Sequence, residues 1–222
     1  MNNRIRSVCD YGCGDGEYIR LLVNYLKHSK TDKRIIEWGG CDLSKEMIKQ
    51  AERVCQSVEH IEFGVSATGI PKCRLYDMVY SVAVFAHIDD LLMKNLFDSF
   101  RNNLTRNGKL IICEQVGTKR IEGETYTRRT IDEYKSILQK AGFVIEEIKL
   151  IDFWVHRIIF ERRLAKYFYK NIKASTYHDR QIEANRKIGF RVCSSIFTKL
   201  SKPYLFNKDT GWGYVFIVAQ KR

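Results

Sequence analysis

Val8-Cys9-Asp10-Tyr11-Gly12-Cys13-Gly14-Asp15-Gly16 is the stretch on which the reading of the fold turns. A short apolar strand runs into G-x-G-x-G, and Tyr18 to Leu26 continues as a helical pattern. Glycines at such a turn let the backbone bend sharply and approach a ligand that a Cβ would block. A nucleotide-sized ligand at the C-terminal end of the strand is the implied result. A glycine-rich turn without a ligand is the plainer alternative, and the agreement of strand, glycines and helix weighs against it.

The surroundings narrow the ligand. A dinucleotide fingerprint needs glycine where Glu17 stands, and no Walker lysine motif occurs, so NAD and ATP are disfavoured. Asp10, Asp15 and Glu17 around the turn would repel a pyrophosphate at a helix N-terminus, whereas they suit a ligand carrying an ammonium and a sulfonium. A second carboxylate comes from Gly40-Cys41-Asp42-Leu43-Ser44, thirty residues beyond Gly12. If the two strands are neighbours, Asp42 can accept hydrogen bonds from both hydroxyls of a ribose. It can also be read simply as a helix N-cap.

Outward from this loop, apolar and amphipathic runs alternate, the pattern of a doubly wound α/β fold around a mostly parallel sheet. Strands are predicted at Ser7–Asp10, Ile35–Asp42, Ile61–Val65, Met78–Val82, Leu110–Gln115, Val144–Ile151 and Tyr214–Ala219. Helices are predicted at Gly16–His28, Ser44–Gln56, Asp90–Leu104 and Ile131–Ala141. Ser44 serves as an N-cap, Asn107-Gly108 as a turn and Gly142 as a helix stop. Residues 1–222 thus read as one domain with a seven-stranded sheet. A helical insertion, 152–212, separates the last two strands.

Four blocks between Val8 and about Leu150 resemble the class I S-adenosylmethionine-dependent methyltransferases. Val8 to Gly16 looks like the family's glycine loop, which implies that Asp10, Gly12, Cys13 and Gly14 contact the methionine part of S-adenosyl-L-methionine. Cys41 to Met47 resembles D-L-S-x-x-M, implying ribose contact by Asp42 and adenine packing by Leu43 and Met47. Tyr76 to Ser81, continuing through Val82 to Asp90, is similar to the strand and loop beneath the donor methyl group, where Ser81 and Val82 lie. Asn107 to Ile112 looks like the fifth strand and its preceding turn. The resemblance implies a Rossmann-like methyltransferase fold. Two departures stand out. The acid that often holds the adenine amino group is replaced by Gly64-Val65-Ser66-Ala67, which leaves that role to Ser66, Ala67 and backbone. The chain also starts nine residues before Asp10, without the helix that often covers the cofactor, so either the insertion supplies a lid or the sequence is a piece of a longer one.

Methyl transfer is an in-line displacement, and its main demands are alignment and exclusion of water. An acceptor oxygen or nitrogen that bears a proton benefits from a general base, and histidine suits neutral pH. His87, in Ala86-His87-Ile88-Asp89 after the fourth strand, is the candidate base; a histidine hydrogen-bonded to loop backbone is the equal alternative. Tyr126 and Arg128, after the fifth strand, stand where a substrate can be approached, and arginine can clamp a carboxylate or phosphate. A solvated loop is the competing reading for both. Tyr18 either reaches the methionine end of the cofactor or packs. No histidine or cysteine spacing suggests a metal.

Composition bears on partners. The formal net charge is +12, with 23 Lys+Arg against 22 Asp+Glu up to His156 and 15 against 4 from Arg157 onward. In a helical projection of Ile158 to Lys173, Phe160, Leu164, Ala165, Tyr167, Phe168 and Ile172 fall on one side and Arg162, Arg163, Lys166, Lys170 and Lys173 on the other. Such a helix either covers the acceptor pocket or lies on an anionic membrane; both leave a basic face outward. An anionic small-molecule, glycan or lipid-linked acceptor is therefore expected, methylated at O or N. Nucleic acid, RNA in particular, is the runner-up, disfavoured because Ser81-Val82-Ala83-Val84 stands where base-N-methylating enzymes carry D/N-P-P-Y. A non-catalytic cofactor-binding module is the third reading. No signal peptide or membrane-length apolar run is apparent, which predicts a cytoplasmic protein with at most peripheral membrane contact. The seven cysteines form no C-x-x-C pair and read as reduced thiols.

Overall fold

In the computed structural model the described residues are 5–28, 37–67, 69–70, 74–151 and 212–221. In chain order they form β1 (Ser7–Tyr11), α1 (Glu17–His28), β2 (Glu37–Asp42), α2 (Lys45–Val54), β3 (Ile61–Val65) and β4 (Tyr76–Val82). A 3-10 turn (Phe85–His87) leads to α3 (Asp90–Asn103), β5 (Leu104–Gly117), β6 (Ile121–Glu122), β7 (Thr127–Arg128), α4 (Ile131–Lys140), β8 (Phe143–Ile151) and β9 (Trp212–Lys221). Seven strands make one sheet in the order β3-β2-β1-β4-β5-β9-β8. The β1–β2, β2–β3, β1–β4 and β4–β5 pairings are all parallel. The doubly wound α/β reading of the sequence is correct. Winding runs from β1 out to β3 and then returns to β4 on the other side of β1, so the C-terminal ends of β1 and β4 flank the switch point where such folds bind ligands.

β1 is buried at all five positions, as a central parallel strand covered on both faces must be. On one face Val8, Trp38 and Tyr80 meet Ile19 and Val23 of α1 and Ile48 and Ala51 of α2. The aromatic cluster includes Tyr11, whose ring lies edge-on to Phe100 with centroids 4.8 Å apart. Phe85 stacks on Phe97 at 5.2 Å. Pairs of this kind add about 0.5–1.5 kcal/mol each beyond their buried area.

Helix ends follow local chemistry. Ser44 Oγ accepts from the Met47 N–H at 3.2 Å, Asp89 caps α3, and Thr130 with Glu133 forms a full capping box on α4. Gly142, at φ +80°, stops α4. Three features differ from the sequence reading. β5 begins at Leu104, because the Asn107-Gly108 turn is an irregularity within the strand: register jumps from Tyr76↔Leu104 to Met78↔Lys109. The β6–β7 hairpin and the 3-10 turn at Phe85–His87 are too short for periodicity to reveal.

The chain divides into two compact units, 1–149 with 215–222 and 150–214. All of the insertion except Trp212, which opens β9, lies outside the described residues, as do Ile35 and Ile36 of the predicted second strand.

Candidate functional site

The glycine loop leaves β1 with Gly12, Gly14 and Gly16 at φ of +76°, +52° and +78°. Gly12 and Gly16 are required by their neighbours: a Cβ on Gly12 would stand 2.2 Å from Val84 Cγ2, and one on Gly16 would stand 3.1 Å from the Ala51 Cα. A Cβ on Gly14 would meet nothing within 4 Å, so its side of the loop faces open space. The loop is tied to β2 by its own backbone, since the Gly12 and Cys13 N–H groups both donate to the Cys41 carbonyl, at 2.7 and 3.0 Å. Cys13 is buried.

Asp42 completes this tie. Its Oδ2 accepts from the Gly14 N–H at 3.0 Å and its Oδ1 from the Ser44 N–H at 2.9 Å. The cap of α2 is Ser44, so Asp42 is a brace between the ends of β1 and β2, with lone pairs left for further donors. Leu43, 70% exposed, and half-buried Met47 follow it. Ser66 and Ala67 sit beyond β3, where the Ser66 N–H donates to the Asp42 carbonyl at 2.9 Å and the Tyr11 hydroxyl to the Ala67 carbonyl at 3.2 Å. The predicted cofactor residues thus converge on the C-terminal ends of three adjacent strands.

Asp10 differs from what an acidic rim would offer. It is only 2% exposed, and its Oδ2 has no hydrogen-bond partner among the described residues. Burial pushes its pKa up to about 7; the nearby Tyr80 phenol opposes that shift and the Asp42 charge adds to it. The Tyr80 hydroxyl is likewise without a geometrically sound hydrogen bond. Glu17 belongs to no rim either, because it pairs with Arg20, and Asp15 accepts from the Glu17 N–H at 3.2 Å. A buried carboxyl with one oxygen unpartnered and only the Tyr80 phenol near it, beside a glycine loop, fits a ligand that brings an ammonium, and the cofactor implied by the sequence has one.

At the end of β4, Ser81 is buried with an unpartnered hydroxyl and Val82 is half-buried. Ala83 is held at φ +56°, a left-handed conformation costly for alanine, by its N–H bond to the Cys113 carbonyl at 2.9 Å. The next turn carries His87 outward. Its ring Nδ1 lies 2.9 Å from the Thr125 carbonyl, in the turn of the β6–β7 hairpin. Tyr126 is the next residue in that turn and is 40% exposed, so His87 and Tyr126 are brought to one place. Arg128 is half-buried in β7, opposite Ile121, and is no solvated loop residue. Tyr18, 56% exposed on α1, lies close enough to Cys113, Asp10 and Asp15 for their charges to raise its pKa, although burial is the larger cause.

Two buried charged residues escaped the sequence reading. Glu114, at 0% exposure in β5, accepts from the Val84 and Phe85 N–H groups, and burial raises its pKa despite those bonds. Arg129, also at 0%, donates to the carbonyls of Phe85 and Ile88 and to Asp90. Alternation along β5 could have flagged Glu114 as inward-facing, because Leu110 and Ile112 share its side of the strand. Nothing in Arg128-Arg129 distinguishes the buried arginine from its neighbour. Among the described residues no cluster of three or more His, Cys, Asp or Glu could hold a metal, and the described cysteines are all unpaired thiols.

A doubly wound sheet with an acid-glycine loop at its switch point and a braced acid after the second strand defines a nucleotide-type cofactor domain. Residues 9–110 match the family model described as a methyltransferase domain, consistent with the resemblance to the class I S-adenosylmethionine-dependent methyltransferases. Solved structures share the fold. The O-methyltransferase of a trans-AT PKS multienzyme from Brevibacillus brevis, in complex with S-adenosyl-L-homocysteine, is 16% identical with a TM-score of 0.66, covering 100% of this chain and 68% of its own. Haemonchus contortus phosphoethanolamine N-methyltransferase 2, in complex with S-adenosyl-L-methionine, is 19% identical with a TM-score of 0.64, covering 100% and 50%. A cyclopropane synthase from Mycobacterium tuberculosis is 12% identical with a TM-score of 0.66, covering 97% and 78%. No curated protein sequence matches the chain.

Proposed function

We propose that this methyltransferase acts on an oxygen or nitrogen of an anionic small-molecule, glycan or lipid-linked acceptor, with His87 as general base. When bound, S-adenosylmethionine supplies an electrophilic methyl group on a sulfonium. Asp10 would pair with its ammonium, the backbone of Gly12, Cys13 and Gly14 would line its methionine part, and Asp42 would accept from its ribose. Leu43, Met47, Ser66 and Ala67 would surround the adenine, and Ser81 and Val82 would lie under the reacting centre.

One observation carries the catalytic reading. A carbonyl can only accept, so the 2.9 Å contact between Thr125 O and His87 Nδ1 requires the proton on Nδ1. Neutral His87 then has its lone pair on Nε2, which has no partner among the described residues and can take a proton from an acceptor. The backbone hydrogen bond and the catalytic role, alternatives in the sequence, are compatible in three dimensions. Tyr126 and Arg128 on the adjoining hairpin are proposed to contact the acceptor, and Tyr18 the boundary between acceptor and cofactor.

The anionic class rests on the basic third of the chain, where residues 157–222 hold 15 Lys+Arg against 4 Asp+Glu. A fold neighbour named for phosphoethanolamine, a phosphorylated amine, supports the same class. The test is to supply purified protein and labelled cofactor to extracts, measure S-adenosylhomocysteine release, and identify the methylated product by mass. Label confined to nucleic acid would replace this acceptor class, and no release from any extract would favour a binding module.

A further inference from the structure

Residues 84–90 lead from β4 into α3 and carry His87 on a three-residue 3-10 turn closed by two backbone bonds of its own, His87 N–H to the Val84 carbonyl and Ile88 N–H to the Phe85 carbonyl. Two buried side chains of opposite charge grip this connection. Glu114 Oε1 takes the N–H groups of both Val84 and Phe85, the latter at 2.7 Å. Arg129 gives Nη1 to the Phe85 carbonyl at 2.6 Å and Nη2 to the Ile88 carbonyl at 2.7 Å, while Nε reaches Asp90 Oδ1 at 2.8 Å. The carboxylate therefore satisfies the donors at the start of the turn and the guanidinium the acceptors along it. Arg129 also adjoins the hairpin whose Thr125 carbonyl holds His87, since the Gly117 N–H donates to the Arg129 carbonyl at 3.0 Å at the hairpin base. Fully buried ionisable side chains are costly unless partnered, and the partners of these two lie mainly on this one connection.

We propose that Glu114 and Arg129 are positioning residues for the reaction: together they fix the 84–90 turn so that His87 meets Thr125 through Nδ1 and presents Nε2 to the acceptor. The inference rests on the reading of His87 as the base, but it is tested without turnover. Histidine-labelled full-length protein is examined by nitrogen NMR, with the His87 resonances assigned from an H87N variant. In the wild type, neutral His87 is the Nδ1–H tautomer. E114Q keeps an oxygen that can take both N–H groups and retains this tautomer. E114A and R129M release it, giving a mixture of tautomers, and amide exchange at Val84 and Phe85 accelerates at least about tenfold in E114A. R129K is the milder variant that decides if R129M does not fold, because a single ammonium cannot reach both carbonyls and Asp90 together. E114A or R129M, or R129K in its place, overturns the proposal if it is folded by its remaining amide signals and keeps the wild-type His87 tautomer. Failure of the base reading shows separately, as full turnover in H87A.

Discussion

Asp10, proposed to pair with the ammonium of the cofactor, should couple cofactor affinity to pH. A carboxyl raised from 3.8 to about 7 in the fold stabilises the protein fully below 3.8, and that contribution is lost as pH rises to about 7. The whole shift corresponds to about 4 kcal/mol. D10N, which cannot ionise, should therefore melt above the wild type at pH 7.5 in the absence of ligand, with the gap closing as pH falls toward 4. An ammonium beside Asp10 favours the ionised form, so S-adenosylhomocysteine affinity should fall by up to about tenfold per pH unit below 7. D10N should flatten that profile; calorimetry across pH reads it, and a pH-independent wild type would remove Asp10 from the site. At Asp42, D42A should weaken binding by about 1.5–3 kcal/mol, the worth of charge-assisted hydrogen bonds. H87A should lower turnover by roughly 10²–10⁴-fold with cofactor affinity nearly intact. A mutant that stays active but melts earlier would make His87 structural.

Among the elements, the glycine loop and the β4–α3 connection form one unit, because Val84 occupies the space a side chain at Gly12 would need. G12A should lose cofactor binding and melt at lower temperature. V84A placed on G12A should recover part of that loss by removing the clash, while the cost of φ +76° for alanine, about 1–2 kcal/mol, remains. Equal melting temperatures for the single and double mutants would show that the two elements are not coupled. The β6–β7 hairpin belongs to the same assembly. Arg120, just before it, pairs with Asp90, Glu122 and Glu133 and so links the hairpin to both α3 and α4. Exposed pairs of this kind are worth little singly and matter here through their shared arginine.

For the whole molecule, the distribution of charge is the chief lever. Almost all of the +12 lies from Arg157 onward, outside most of the described residues, while the cofactor-binding part is nearly neutral. Reversal of Arg163, Lys166 and Lys170 to glutamate should weaken acceptor use and its salt sensitivity together, with S-adenosylhomocysteine bound normally. Acceptor kinetics equal to wild type at low salt would make the basic residues a solubility feature only. Membrane contact has a separate readout, salt-sensitive sedimentation with anionic vesicles; among the described residues no helix is long and apolar enough to cross a bilayer.

The sequence by itself determined the sheet, its winding and the cofactor loop. Strand and helix periods, a glycine at each positive φ of the loop and an acid at the C-terminal end of each of the first two strands are local signals, written within a few residues of where they act. Ile61–Val65 matched its strand at both ends for that reason. Only the tertiary structure decided what those acids and the histidine face. Asp10 has no local mark of being buried and unpartnered, Asp42 braces a loop 28 residues away, and the tautomer of His87 depends on a carbonyl 38 residues further on. The two charges that hold the His87 turn, Glu114 and Arg129, reach it across separations of 29 and 44 residues. Hydrogen bonds between distant segments leave no period in the chain, because the residues that make them are constrained by where the sheet delivers them and not by their neighbours in sequence.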